Sequence, residues 1–257
     1  AMSRDRWRLY KIEERLRLVN LGGTAIGTGV AAPKKYILQV VNVLREITGV
    51  GLAKGEDLID QTQNLDVFVE VHGLIKSGAT SLMKIANDLR FLNSGPRAGV
   101  GEIILPPVQH GSSIMPGKIN PVIPEHVIQV CQLIMGHDAM ITQLSASGSL
   151  ELNPFLPMIA HQFLKSFSLL TDVIHVFIDK AINGIQVDKD KCEKLLYNSY
   201  SIGTFLINKL GYEQATQLIK EAYINEKNLM DLVEEKGIMK AEEFKKFISA
   251  QLGIFED

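Results

Sequence analysis

Residues 111–121 read Gly-Ser-Ser-Ile-Met-Pro-Gly-Lys-Ile-Asn-Pro. The stretch holds two hydroxyls, one ammonium, one carboxamide, two glycines and two prolines, and no carboxylate. Such a set is suited to receiving an anion. Gly111 and Gly117 let backbone bend and approach a ligand closely. Lys118 supplies a mobile point charge, and Asn120 supplies donor and acceptor without net charge. An apolar helical pattern begins directly downstream, so the free N–H groups and dipole of a helix N-terminus would add to the positive field. Two starts fit: Asn120 capping with Pro121 at the first helical position, or a start at Pro124. Glu125 falls in the first turn, either as a carboxylate favoured by the dipole or as a working group.

Three long apolar-periodic segments must carry this motif. In the first, Val67, Phe68, Val71, Leu74, Ile75, Leu82, Ile85, Ala86, Leu89 and Leu92 recur at three- and four-residue steps. That spacing predicts a helix over Asn64–Asn93, about 30 residues and roughly 45 Å long. The second runs from Pro124 to Ser147, with Asp138 as its one formal charge beyond Glu125, so it is apolar nearly all round and demands burial on several sides. The third runs from Pro154 to Asn183. Shorter helices are expected over Arg4–Leu21 and Pro33–Gly49. Between them lies Gly22–Gly29, which either serves a site or lets elements pack closely. The Ser94–Ile119 connection is rich in glycine and proline and without period. Its length exceeds the roughly 12–15 residues usual for structureless loops, which favours an active-site lid.

The resulting fold class is all-α: a long-helix bundle over residues 1–185, completed by oligomerisation, then a small C-terminal helical domain over 186–257. The 257 residues are 46% hydrophobic, enough for a sizeable core. A net charge of −2 and a pI near 6.4 give no support for a nucleic-acid or membrane-surface partner. The two cysteines, Cys131 and Cys192, lie in helical patterns and suit a reducing cytoplasm. No CxxC, HExxH or clustered His/Cys set points to a metal, and no cofactor is implied.

The Gly111–Pro121 segment resembles the third signature region of the aspartase/fumarase superfamily, Gly-Ser-Ser-x-Met-Pro-x-Lys-x-Asn-Pro, at every fixed position. The Gly22–Gly29, Ser94–Gly99 and Leu150–Asn153 segments also look like that family. The resemblance implies an all-α homotetramer whose central helices form one shared bundle and whose active sites draw on three subunits. It implies elimination across a Cα–Cβ bond of a small dicarboxylate, with release of fumarate through an aci-carboxylate. Ser112 then corresponds to the general base. Ser113 would donate to the carboxylate beside the attacked carbon, and Lys118 and Asn120 would hold the other. Glu125 would pair with a histidine from another subunit, which stands outside this sequence; none of the six histidines here is in such a motif.

The continuation Val122-Ile123-Pro124-Glu125 looks more like the aspartase branch, which converts L-aspartate to fumarate and ammonia. The alternatives are class II fumarate hydratase chemistry on malate, or a non-catalytic helical assembly protein. Family chains are about twice this length, so the resemblance makes this chain their second half, inactive alone. Thr24 and Thr28 are further candidates near the site. Arg97 is expected to brace the lid, and His110 is a lid residue without an assigned role. His126, His161 and His175 are expected in core or interface. Leu206–Leu210 departs from the family's usual Leu-Asn-Pro.

Overall fold

Residues 66–92 form one unbroken helix because apolar side chains recur on a single stripe and no proline interrupts them. In this computed structural model, which describes residues 1–109, 111 and 114–253, the chain divides into two units. One comprises Ala1–Ser94 with Leu105–Ile185, the other Gly95–Ile104 with residues 186 onward.

The first unit is built on three long helices, α5 (Asp66–Leu92), α6 (Val122–Ser145) and α7 (Leu156–Lys180), preceded by shorter elements. These are α1 (Met2–Tyr10), α2 (Ile12–Arg15), β1 (Leu18–Val19), α3 (Lys34–Thr48), β2 (Ala53–Lys54) and α4 (Leu58–Gln63). Helix α6 packs along α5 on one side and α7 on the other. The core stripe of α5 is Val71, Ile75, Ala79, Leu82 and Ala86, whose small members admit close approach. Against it lie Val127, Cys131, Ile134 and Ile141 of α6, and Ile159, Phe163, Leu170, Val173 and Phe177 of α7. Phe163 stands edge-on to Phe68 at 5.6 Å and tilted to Phe167 at 5.2 Å. Each fully buried Leu, Ile or Phe contributes roughly 1.5–3 kcal/mol, so this stripe is the main stabilising element of the unit.

Asn153 joins the last two helices. Its Nδ2 donates to the carbonyls of Leu144 and Ser145 at 3.1 Å each, and its Oδ1 accepts from the Phe155 amide at 3.0 Å. One buried carboxamide thus satisfies orphan groups at the end of α6 and the start of α7.

One expectation needs correction. The segment Arg4–Leu21 is not one helix: it breaks at Lys11, and Leu18–Val19 pairs in parallel with Ala53–Lys54. The Ala53 amide donates to Arg17 O and the Gly55 amide to Val19 O, so a distant strand outcompetes the local helical pattern. Among the described residues, helix α6 packs mainly against α5 and α7. Gln129, Gln132, Leu133, Gly136, Met140 and Gln143 form an exposed, uncharged stripe on its outer face.

In the second unit, β3 (Ile103–Ile104) pairs antiparallel with β4 (Gln186–Val187). The Asp188 amide donates to Glu102 O at 2.9 Å, and Lys191 Nζ donates to Pro96 O at 2.8 Å. Part of the long connection is therefore ordered on this unit. Helices α8 (Lys189–Asn198), α9 (Ile207–Leu210), α10 (Tyr212–Ile224), α11 (Leu229–Glu235) and α12 (Ala241–Gln251) surround a core that includes Ile202, Leu206, Leu218, Leu232, Phe244 and Ile248. Gly211 and Gly237, both at positive φ, separate helices. Gly203 does not: it lies within a 3₁₀ segment where a Cβ would meet Ile219 at 2.5 Å.

Candidate active site

The motif at residues 111–121 leads straight into α6. Lys118 N–H donates to Met115 O at 3.2 Å, closing a turn with Pro116 and Gly117 in the middle. Gly117 has φ +80°, the conformation a type II turn requires of its third residue. The turn folds the segment back on itself, so that a Cβ built on Gly111 would lie 2.0 Å from Lys118 O. Backbone of positions 111 and 118 is in contact, and only glycine fits at 111.

Helix α6 starts at Val122, between the two starts left open by the sequence. Pro121 precedes the first helical residue, and the Asn120 side chain does not cap the helix. Instead the Val122 amide donates to Asn120 O at 2.9 Å. Pro124 sits in the first turn, where a missing N–H costs nothing. Lys118 is exposed and Asn120 half-buried, just upstream of the α6 N-terminus, and Glu125 is half-buried in its first turn. The structure therefore groups Lys118, Asn120 and Glu125 within one turn-plus-helix start. A helix N-terminus is a place where anions are favoured, and an ammonium and a carboxamide have the chemistry to contact one. Ser112 and Ser113, and with them His110, lie outside the described residues.

The Gly22–Gly29 segment has a packing explanation. A Cβ on Gly27 would lie 2.3–2.4 Å from backbone atoms of Leu58 and Ile59, and Gly27 has φ +84°. Thr28 lines an open depression of about 560 Å³ with Lys54 and Asp57. None of Lys118, Asn120 and Glu125 borders it. Thr24 adopts φ 59°. Arg97, His126, His161 and His175 are exposed.

One polar cluster escaped the sequence reading. His72 of α5 is wholly buried, with Nδ1 3.0 Å from Asp138 Oδ1 on α6 and Nε2 2.9 Å from Ser166 Oγ on α7. Lys76 pairs with the other oxygen of Asp138. His137 Nδ1 also reaches Ser166 Oγ, at 2.9 Å. Burial, only partly offset by Asp138, holds the His72 pKa below its ordinary value. Burial and the nearby His72, His161 and Lys165 do the same to His137. Asp138, the one charge of this apolar helix beyond Glu125, was the available signal.

Both cysteines are free, and burial pushes the Cys131 thiol up to about 11, leaving it a protonated core residue. Among the described residues no group of His, Cys, Asp and Glu is placed to hold a metal ion. No described helix is long and apolar enough to cross a membrane.

A long-helix bundle with the 111–121 motif at the start of its middle helix is the arrangement of the helical lyases. The lyase family profile matches residues 1–136, and the profile for the fumarase C C-terminus matches residues 202–252. The chain belongs to the lyase family, within the aspartase/fumarase superfamily. It is 41% identical over 243 residues to the aspartate ammonia-lyase of Escherichia coli, covering 95% of this chain and 51% of that protein. With the aspartate ammonia-lyase of Corynebacterium glutamicum it shares 44% over 231 residues, 90% of this chain and 44% of that protein. Among solved structures, a fumarate lyase:delta crystallin from Brucella melitensis superposes with a TM-score of 0.91 at 38% identity, covering 99% of this chain and 55% of that one. The class II fumarase of Schistosoma mansoni superposes at 0.84 with 29% identity, covering 97% and 56%. The chain spans about half the length of the curated relatives it matches.

Proposed function

We propose that this chain is the catalytic-loop-bearing half of a lyase that eliminates ammonia from L-aspartate to give fumarate. The observation carrying this reading is the complete Gly111–Pro121 motif at the N-terminus of α6, in a chain 37–44% identical to aspartate ammonia-lyases. In this reading Ser112, as alkoxide, removes a proton from C3 of the substrate. The electron pair is held as an aci-carboxylate on the adjacent carboxyl group, to which Ser113 donates. The C2–N bond then breaks, its pair leaving with nitrogen as ammonia, and the C2–C3 double bond of fumarate forms. Lys118 and Asn120 hold the second carboxylate, and Glu125 pairs with a histidine of another subunit. Donors aimed in advance at the developing dianion supply the largest part of such catalysis.

The exposed, uncharged stripe Gln129–Gln143 on α6, with Leu133 and Met140 exposed within it, supports assembly with further subunits. The assembly we propose is a cytoplasmic homotetramer with shared sites. It is built on the bundle domain through residue 185 and followed by the small C-terminal domain from residue 186. The isolated chain is inactive in this reading. The 29% identity to a class II fumarase favours hydration of fumarate to malate as the second reading.

The discriminating experiment assays the full-length protein with L-aspartate and with L-malate. Ammonia and fumarate from L-aspartate are expected, with activity falling by at least ~10²–10⁴-fold in Ser112→Ala, the usual contribution of a positioned base. Turnover of malate alone would establish the second reading. Full activity in Ser112→Ala would remove that residue from its assigned role.

A further inference from the structure

At the centre of the three long helices, Asp138, His72 and Ser166 stand in the order carboxylate–imidazole–hydroxyl, at 3.0 and 2.9 Å. The order is that of a hydrolytic triad, but Ser166 and His72 are wholly buried, so no substrate reaches the hydroxyl. The cluster calls for a different explanation. Its members come from three helices and sit amid Val71, Ile75, Phe163 and Leu170.

Proton counting defines two states. With His72 neutral, Nδ1–H donates to Asp138, so Nε2 must accept from the Ser166 hydroxyl. The Ser166 oxygen then accepts from His137 Nδ1–H, and every group has a partner. With His72 protonated, Nε2–H donates to Ser166 Oγ instead. The hydroxyl is not stranded, because Gln162 O lies 2.9 Å away on the preceding turn of α7. Ser166 Oγ then accepts from both imidazoles and donates to that carbonyl. The two states differ by one proton and one hydroxyl rotation, and neither leaves a buried polar group unpaired.

We propose that this chain of groups is an acid-tolerant clamp: it takes up one proton at His72 by rotation of the Ser166 hydroxyl, and joins α5, α6 and α7 in both states.

The charges around it suit that task. On α6, Asp138 is the sole carboxylate contacting His72, and Lys76 on α5 balances it. Burial, His72, and His161 and Lys165 on α7 hold the His137 pKa below its ordinary value, so the second imidazole also resists taking up a proton. On the other side of α5, the Arg8–Asp5 pair of α1 and the Arg15–Glu70 pair are neutralised within themselves. Ordinary buried histidines lose a partner when they charge, and unfold their surroundings on protonation. Here the alternative acceptor is already in place.

The test is an NMR titration of the imidazole nitrogens in the 257-residue chain, assigned with His72→Gln, alongside circular dichroism on the same samples. At neutral pH, His72 is expected as the Nδ1–H tautomer. On acidification it should gain its second proton while the native helical signal and near-ultraviolet signal persist. In Ser166→Ala, His72 should charge only together with loss of the native signal, and Ser166→Thr should restore the separate step. The clamp is overturned if wild-type His72 is the Nε2–H tautomer, or if it charges only as the chain unfolds. An unchanged titration in Ser166→Ala would also overturn it. Should Ser166→Ala not fold, the wild-type tautomer and titration decide alone.

Discussion

Gly111 and Lys118 touch through their backbones: a Cβ at 111 would stand 2.0 Å from the Lys118 carbonyl oxygen and 3.0 Å from its carbon. No flexible side-chain end is involved, so the clash can be relieved only by moving the chain. Gly111→Ala must therefore open the loop that leads from residue 111 to Lys118. Misplacing a positioned group by about 1 Å can cost ~10²-fold in rate. The expected outcome in the full-length protein is a fall of that order in kcat/KM, with a thermal midpoint near wild type, since the loop lies outside the helical core. Equal losses in both would show that the close approach serves folding and not the site.

Lys118 offers a test of the proposed anion receptor. The side chain is exposed at the α6 N-terminus, so its removal should not disturb packing. A hydrogen bond to a charged group is worth about 1.5–3 kcal/mol, which corresponds to roughly 10–150-fold in binding. Lys118→Met is accordingly expected to raise KM for a dicarboxylate, or the inhibition constant of fumarate, within that range. Lys118→Arg restores charge but not shape, and recovers only part of the loss. Unchanged KM in Lys118→Met would separate this residue from substrate.

Asn153 predicts a stability effect with no catalytic counterpart. Its three hydrogen bonds join two helix ends, and the side chain is buried. Asn153→Ala leaves two carbonyls and an amide short of partners, at about 1–3 kcal/mol for an unsatisfied buried group. The urea midpoint should fall while the m-value stays constant, because the surface exposed on unfolding is unchanged.

These residues also show why some features were legible in the sequence and others not. The core stripe of α5 is a local pattern, and spacing alone placed Val71, Ile75, Leu82 and Ala86 on one face. The motif at 111–121 is equally local, and its turn, its proline-tolerant helix start and its charge follow from eleven consecutive residues. The break after Tyr10 was not legible, because the strand at Leu18–Val19 forms only through a partner at Ala53–Lys54. The His72 cluster was hidden for the same reason. His72 lies in phase with the apolar stripe, while its partners Asp138 and Ser166 are 66 and 94 residues away. Pattern reads a helix face but not which polar groups meet across two others.

The same cluster fixes how stability should depend on pH. His72 and His137 both have folded pKa values below the ordinary histidine value of 6.5. Between the folded and unfolded values the unfolded chain binds more protons, so stability rises with pH across that window. The contribution is fully present above 6.5, is lost progressively as pH falls toward the folded values, and levels off below them. Each histidine adds a slope of at most about 1.4 kcal/mol per pH unit. Comparing urea unfolding at pH 7.5 and pH 5.5 should therefore give a clear loss in the wild type. In His72→Gln that loss should shrink, because one of the two titrating groups is gone and the amide can still bridge Asp138 and Ser166. An undiminished loss in His72→Gln would assign the acid sensitivity to His137 or to groups outside the bundle core.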